Sequence, residues 1–210
     1  LILQSFRFDR YFLHSAMWIC GVAIAAAFGS AAILGFYEAA IENGPMEHMS
    51  ELLLLAAAYY FGRAAINSTD ADRMAALGAM TLSLLFFFRE LELPVTGPIT
   101  AYLDSNTFRW HETIVVLAVF IPYFAMRWRL IPEILRFLLT SHVLPFIGVL
   151  AFLLCGDLFD QIKPAAENIN LFMFIEEMFE FVAYTLFALS AHRVARNAKQ
   201  QSKTLLHATA

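Results

Sequence analysis

Six stretches of the chain are apolar almost throughout and are separated by short polar breaks. They run from about Tyr11 to Ile41, Glu47 to Ile66, Met74 to Leu93, Arg109 to Met126, Phe137 to Cys155 and Ile169 to Ala191. A helix rises 1.5 Å per residue, so roughly 20 mostly apolar residues cross the ~30 Å hydrocarbon layer of a bilayer. All six read as helices. The breaks carry residues that stop helices: Asn43-Gly44-Pro45, Asn67-Ser68-Thr69-Asp70, Pro94 with Gly97-Pro98, and Gly156 through Pro164. The pattern predicts an all-α, polytopic transmembrane helix bundle of about six spans in a single domain, with residues 192–210 as a basic tail.

Composition points the same way. The 210 residues are 60% hydrophobic and 15% charged, with a mean hydropathy of +0.64, whereas a soluble domain is roughly half apolar and a quarter charged. No polar stretch is long enough to build a separate soluble domain. The chain opens on Leu1, so its true start is expected to be processed or to lie upstream. Residues 1–10 are too polar for a signal-peptide core, and the apolar run of about 27 residues after them is expected to span rather than to be cleaved. The net charge is −4 without a basic block or an Arg and aromatic stripe, which sets nucleic acid aside as a partner. Cys20 and Cys155 lie in different spans and are not expected to bridge.

Orientation follows from the basic residues, which stay on the cytoplasmic side of a membrane. With the N terminus inside, only Arg89, Arg109 and Lys163 fall outside. Arg7, Arg10, Arg63, Arg73, Arg127, Arg129, Arg136, Arg193, Arg196, Lys199 and Lys203 fall inside. Six spans then put both termini in the cytoplasm.

The carboxylates show the opposite asymmetry, and helix lengths pull several of them into the membrane. The segment between Glu51 and Arg63 gives only about 16 Å of helix, so Glu51 must lie below the outer interface, with Glu47 and His48 close by. The same arithmetic draws His111 and Glu112 to the outer boundary and Arg89 and Glu90 to it or inside it. Glu176, Glu177 and Glu180 lie roughly 10 to 17 Å along the last span, near the midplane. An ionisable group at such depth costs at least about 2.5–3.5 kcal/mol and normally faces protein or trapped water. Glu38, Glu42, Glu51, Arg89, Glu90, Glu112, Glu176, Glu177 and Glu180 are therefore expected to converge on one polar cavity open to the outer face. Glu38/Glu42, Glu47/Glu51 and Glu176/Glu180 are i, i+4 pairs that share a helix face and repel. Arg89 and Arg109, a bound cation or protonation must compensate.

Three chemistries suit such a cluster. One is a structural ion-pair network that fixes helix register. Another is a divalent metal ion held by Glu51, His48, His111, Glu176 and Glu180, with Glu38 as a further oxygen ligand; the Glu-x-x-His motif of di-iron bundles is absent. The last is a proton or substrate path, or a carboxylate acting as acid or base. His14, His142 and His192 lie near the inner ends of spans. A haem would need two of them face to face, and local hydrogen bonding is the preferred use. Ser15, Ser141 and Ser190 beside them lack a deep acid for a triad. Gly21, Ala25, Gly29 and Ala32 form a small-residue stripe expected to permit close helix packing. The tail from Arg193 is expected to lie as a solvated helix end against the anionic inner leaflet.

Phe86-Phe87-Phe88-Arg89-Glu90-Leu91-Glu92 closes the third stretch, Glu42-Asn43-Gly44-Pro45-Met46-Glu47 opens the second, and Glu176-Glu177-Met178-Phe179-Glu180 lies in the last. The first of these resembles the Arg-Glu-Leu-Asp/Glu signature at the end of the third span in a group of poorly characterised bacterial multi-pass inner-membrane proteins. The other two are similar to segments of the same group. Glu92 stands where Asp is usual, and Pro94 replaces a polar run. The resemblance implies a bacterial inner-membrane setting and groups the same acidic positions, without adding chemistry.

Three function classes follow. The preferred one is a non-catalytic subunit or scaffold that meets lipid, other membrane subunits or a second copy of itself. The others are a metal-dependent membrane enzyme at the outer leaflet and a cation or proton carrier. The carrier is disfavoured because no acidic residue lies deep in the inner half, where a path across the bilayer would need one.

Overall fold

The computed structural model describes residues 3–41, 43–91, 96–103, 105–162 and 168–208. Among them the chain is all-α, without a strand: α1 (Arg10–Leu34), α2 (Phe36–Ala40), α3 (Pro45–Asn67), α4 (Asp70–Glu90), α5 (Pro98–Leu103), α6 (Asn106–Met126), α7 (Ile131–Leu138), α8 (Leu144–Ile162) and α9 (Ile169–Ala208). Five helical stretches are long and apolar enough to cross a membrane: Arg10–Leu34, Phe36–Asn67, Asp70–Glu90, Asn106–Met126 and Ser141–Ile162. The 40-residue α9 is outside that set and about 60 Å long. The predicted basic tail is its unbroken continuation.

Glycine marks two departures from the predicted boundaries. The first predicted span breaks at Gly35, whose φ of 93° and ψ of 158° suit glycine alone, leaving α2 as a separate turn of helix. The fifth span lies further along the chain than predicted, because Gly156 does not stop it. A Cβ at Gly156 would lie 3.4 Å from both the Glu176 carbonyl oxygen and Glu180 Cγ. The residue is there to let α8 approach α9, so Asp157 and Asp160 are helical rather than in a loop.

α9 is the axis of the bundle. Every residue from Val182 to Ala188 is buried, which leaves no helix face uncovered. α3, α8 and α1 pack along it, and α2 packs near its start. Phe61 meets Phe187 with ring centroids 5.3 Å apart, and Tyr60 meets His192 at 4.9 Å. Phe146 lies on Phe187 and Phe159 on Phe179. Glu47 lies near Glu177 as Phe61 lies on Phe187, so α3 runs parallel to α9, and the two α8 contacts make α8 antiparallel. Near its start Phe174 takes Phe28 and Phe36, each at 5.2 Å. In lipid such contacts hold helices by dispersion and fit rather than by expulsion of water.

α1 approaches the bundle through Ala16, Cys20, Ala23, Ala27 and Ala31, its buried stripe. This corrects the predicted one. Gly21, Ala25, Gly29 and Ala32 are exposed, and a Cβ at Gly21 or Gly29 would meet nothing within 4 Å. Cys20 and Cys155 are both free. At the far side α6 buries no residue at all and packs on α4 and α5. Residues 3–9 and the late turns of α9 lie at the same end of the bundle, because Asn197 Nδ2 donates to the Ser5 and Arg7 carbonyls, both at 2.9 Å.

These assignments predict opposite outcomes on neighbouring turns of α1. Gly29→Ala adds a methyl in open space and should leave stability unchanged or raise it by up to about 1 kcal/mol through helix propensity. Ala27→Leu should lower it by about 1–3 kcal/mol through overpacking. Thermal unfolding in detergent gives the order, and the reverse order would put the packing face where the glycines are.

Candidate functional site

At the end of the bundle where α4 finishes and α9 begins, the charged groups answer one another directly. Glu90 Oε1 accepts from three donors: Arg89 Nε at 3.1 Å, Arg89 Nη2 at 2.9 Å and the Tyr184 hydroxyl at 2.9 Å. Arg89 Nη2 also reaches Glu180 Oε1 at 3.4 Å. The Glu90 and Glu180 side chains are only 12% and 16% exposed, while Arg89 is 54% exposed. The guanidinium thus lies over the two carboxylates at the edge of the bundle, with Tyr184 buried beneath. Glu177 sits one turn from Glu180 and feels the like charges of Glu180, Glu90, Glu176 and Glu47. Glu47 is buried at the start of α3 and accepts from the Asn43 backbone N–H. Three helices, α3, α4 and α9, bring acids to this place, and α8 closes against it at Gly156.

The remaining predicted members are placed elsewhere or otherwise engaged. Glu38 is exposed on α2, and Glu42 lies outside the described residues. Glu51 pairs with His48 Nδ1 at 3.2 Å on its own helix. Glu112 has Arg109, on the same helix α6, as its charge partner, so Arg109 serves α6 rather than the cluster. His111 Nδ1 shares a 2.7 Å hydrogen bond with the Tyr102 hydroxyl on α5. Among the described residues, no three His, Cys, Asp or Glu side chains are grouped to hold a metal ion. The expected ligands Glu51, His48, His111, Glu176 and Glu180 are thus not assembled there as a site.

Tyr184 is the member that the sequence reading missed. Its signal is the i+4 spacing from Glu180, which puts the hydroxyl on the acidic face of α9. Other hydroxyls in the helices bond back to their own turn, Ser83 to the Ala79 carbonyl and Ser190 to that of Leu186, both at 2.8 Å. Buried Ser50 Oγ and Thr185 Oγ1 have no hydrogen-bond partner.

The other end of the molecule carries a second polar system. Asp9 caps α1 by accepting from the Phe12 N–H at 2.7 Å and pairs with Arg193 of α9. Asp72 Oδ2 accepts from the backbone N–H groups of Gln4 (3.2 Å) and Ser5 (3.3 Å) and from the Ser5 hydroxyl (3.2 Å). His142 Nδ1 lies 3.2 Å from the Phe8 nitrogen and 3.1 Å from its carbonyl oxygen. Arg73 Nε donates to the Ala65 and Ser68 carbonyls at the end of α3. Residues 3–9 are thereby strapped across the bundle. Beneath them lies a cavity of about 1000 Å³. This cavity lies at the opposite end from the acidic cluster, roughly 27 Å away, the length of α4 between Asp72 and Glu90.

Comparison with protein-family models, with curated proteins and with solved structures finds no match for this chain.

Two variants weigh the acidic network. Arg89→Ala leaves Glu90 and Glu180 without their cation and should cost about 3 kcal/mol. Tyr184→Phe removes one bond to a charged acceptor and should cost about 1–2 kcal/mol. Their melting temperatures in detergent should fall in that order, and unchanged values for both would show the network to be idle. At the other end, the Phe12 N–H, opposed by burial and aided by the Arg193 charge and hydrogen bond, holds the Asp9 carboxyl below its ordinary 3.8. A lowered carboxyl stabilises the fold fully above its unfolded pKa and loses that contribution as pH falls through the folded one. Stability should therefore decline below about pH 4, with Asp9→Asn flattening that limb. Asp9→Ala should cost about 1 kcal/mol at neutral pH through the lost cap.

Proposed function

We propose that this chain is a non-catalytic subunit or scaffold of a bacterial inner-membrane complex. It crosses the bilayer six times, with α9 as the sixth and central crossing and both termini in the cytoplasm. The observation that carries this reading is α6. A membrane helix normally buries part of its surface against its own bundle. Here no residue of Asn106–Met126 is fully buried, the helix touches α4 only through half-buried side chains such as Phe108 and Phe124, and Ile114, Leu117 and Ile121 are 56%, 49% and 61% exposed. A span packed so lightly on its own bundle is suited to meet another chain, a second copy included, with lipid on its remaining sides. The acidic network supports the non-catalytic part. Its best-placed groups are consumed by bonds to one another, as in a device that fixes the register of α4 on α9.

Photo-crosslinkers at Ile114, Leu117 and Ile121 in native membranes test this. The expected outcome is one discrete higher-mass product from all three positions, lost when Leu117 is changed to Arg, while a crosslinker at exposed Ile33 of α1 gives none. A chain that runs as a monomer from native membranes, with α6 crosslinked to lipid alone, would remove the subunit reading. Cysteine labelling at Gln201 and at Thr96 from either side of the membrane tests the orientation. Gln201 should react from the cytoplasm and Thr96 from outside.

A further inference from the structure

The cavity under the N-terminal strap is lined by charges of both signs. Asp9, Asp70, Asp72 and Glu133 face it together with Arg7 and Arg193. Asp9 and Arg193 neutralise each other, and Asp72 is committed through Oδ2 to the strap. That leaves Asp70, Glu133 and Arg7 on the cavity wall without an ion-pair partner among the described residues. Asp72 also feels the negative charge of Glu133, and its other oxygen, Oδ1, is buried without a hydrogen-bond partner. Like charges brought together across an open space are relieved by a cation entering it. The unpaired Arg7 asks in addition for an anion.

We infer that this cavity binds a zwitterionic aminophosphate group, its primary ammonium toward Asp70 and Glu133 and its phosphate toward Arg7. The ammonium must be one that can donate hydrogen bonds. Carboxylates and the carboxamides of Gln200 and Gln201 on the wall are acceptors for N–H groups, whereas a quaternary ammonium is held by a cage of aromatic faces. Phe8 and His142 are the aromatic rings of the lining, and Phe8 is 5% exposed, so no cage is present. A purely anionic group is disfavoured because carboxylates outnumber guanidiniums on the wall. The phosphate position suits Arg7, which is exposed and whose backbone carbonyl is fixed by Asn197. An aminophosphate of this kind occurs both as the headgroup of phosphatidylethanolamine and as free phosphoethanolamine.

The test uses the full chain, delipidated and rebuilt into nanodiscs of phosphatidylethanolamine, phosphatidylcholine or phosphatidylglycerol with identical acyl chains. Lipid retained on release into detergent is counted by native mass spectrometry. Phosphatidylethanolamine should be retained about tenfold over each of the other two, the size of one charge-assisted hydrogen bond. Asp70→Asn with Glu133→Gln should abolish that preference while the protein elutes and melts like the wild type. Should the double variant fail to fold, Asp70→Asn alone takes its place, with a partial loss expected. Arg7→Gln should weaken phosphatidylethanolamine binding and leave its margin over phosphatidylcholine. Displacement of the lipid by free phosphoethanolamine would support the site with a soluble ligand, and retention without displacement would support it with the lipid headgroup. Equal retention of the three lipids, preference for phosphatidylglycerol, or a preference that survives the carboxylate substitutions would overturn it.

Discussion

One carboxylate oxygen, Glu90 Oε1, takes hydrogen bonds from two side chains that belong to different helices, and the rest of the bundle depends on that junction. α4 lies chiefly against α3, and its link to α9 at this level is made by long polar side chains. Arg89 reaches from α4 to Glu180, and Tyr184 reaches back from α9 to Glu90. In a medium of low dielectric a bond to a charged acceptor is strong, and its absence leaves a charge that has nowhere else to go. The same groups that keep α9 out of the set of helices apolar enough to cross a membrane therefore secure it once α4 is beside it. The first third of α9 needs the bundle, and the bundle needs α9 as its axis.

That axis explains why small residues appear where they do. A helix covered on all sides must admit several neighbours at short range, and each neighbour supplies its own clearance. α1 does so with a run of alanines, α8 with Gly156 against the Glu176 carbonyl, and α2 with Ala39 and Ala40, which are almost wholly buried. Between these points of approach the gaps are filled by phenylalanines, Phe174, Phe179 and Phe187 on α9 meeting Phe28, Phe159 and Phe61. The high phenylalanine content is thus divided between the axis, where rings interlock, and the outer surfaces.

Apolar length made the helices readable in advance, because a run of such residues has one economical structure in a bilayer. Their ends were less readable. A glycine stops a helix, bends it or lets a neighbour in, and sequence does not distinguish these uses. Gly156 was read as a stop and is a contact, while Gly35 lay inside a predicted span and is the break. The same ambiguity misplaced the packing face of α1, where glycines suggested a close approach that the alanines on the adjacent face make. Among the site residues, Arg89, Glu90 and Glu180 could be placed together from depth alone, since helices of limited length force charged groups to one level. Depth says nothing about azimuth, so Glu112 at a similar level sits on the peripheral α6 and Glu38 points away from the bundle. Tyr184 escaped notice because a tyrosine in an apolar run carries no charge to betray it.

The polar system at the other end was the least legible, for a physical reason. It joins Ser5 to Asp72, Phe8 to His142, and Asn197 to the carbonyls of Ser5 and Arg7, pairs 67 to 192 residues apart and built from residues that elsewhere are ordinary surface. Only the folded arrangement shows that the two ends of the molecule handle charge differently. At the acidic end, Arg89, Glu90, Glu180 and Tyr184 satisfy one another, so a ligand there would have to displace bonds already formed. Beneath the strap, Asp70, Glu133 and Arg7 face open space with their bonding capacity unused. Arg7 and Asp70 are exposed and Glu133 is half-buried, so a group of complementary charge displaces water from them rather than bonds already made within the fold. Binding therefore belongs to the end that the sequence made look peripheral, and rigidity to the end where the charges are most concentrated.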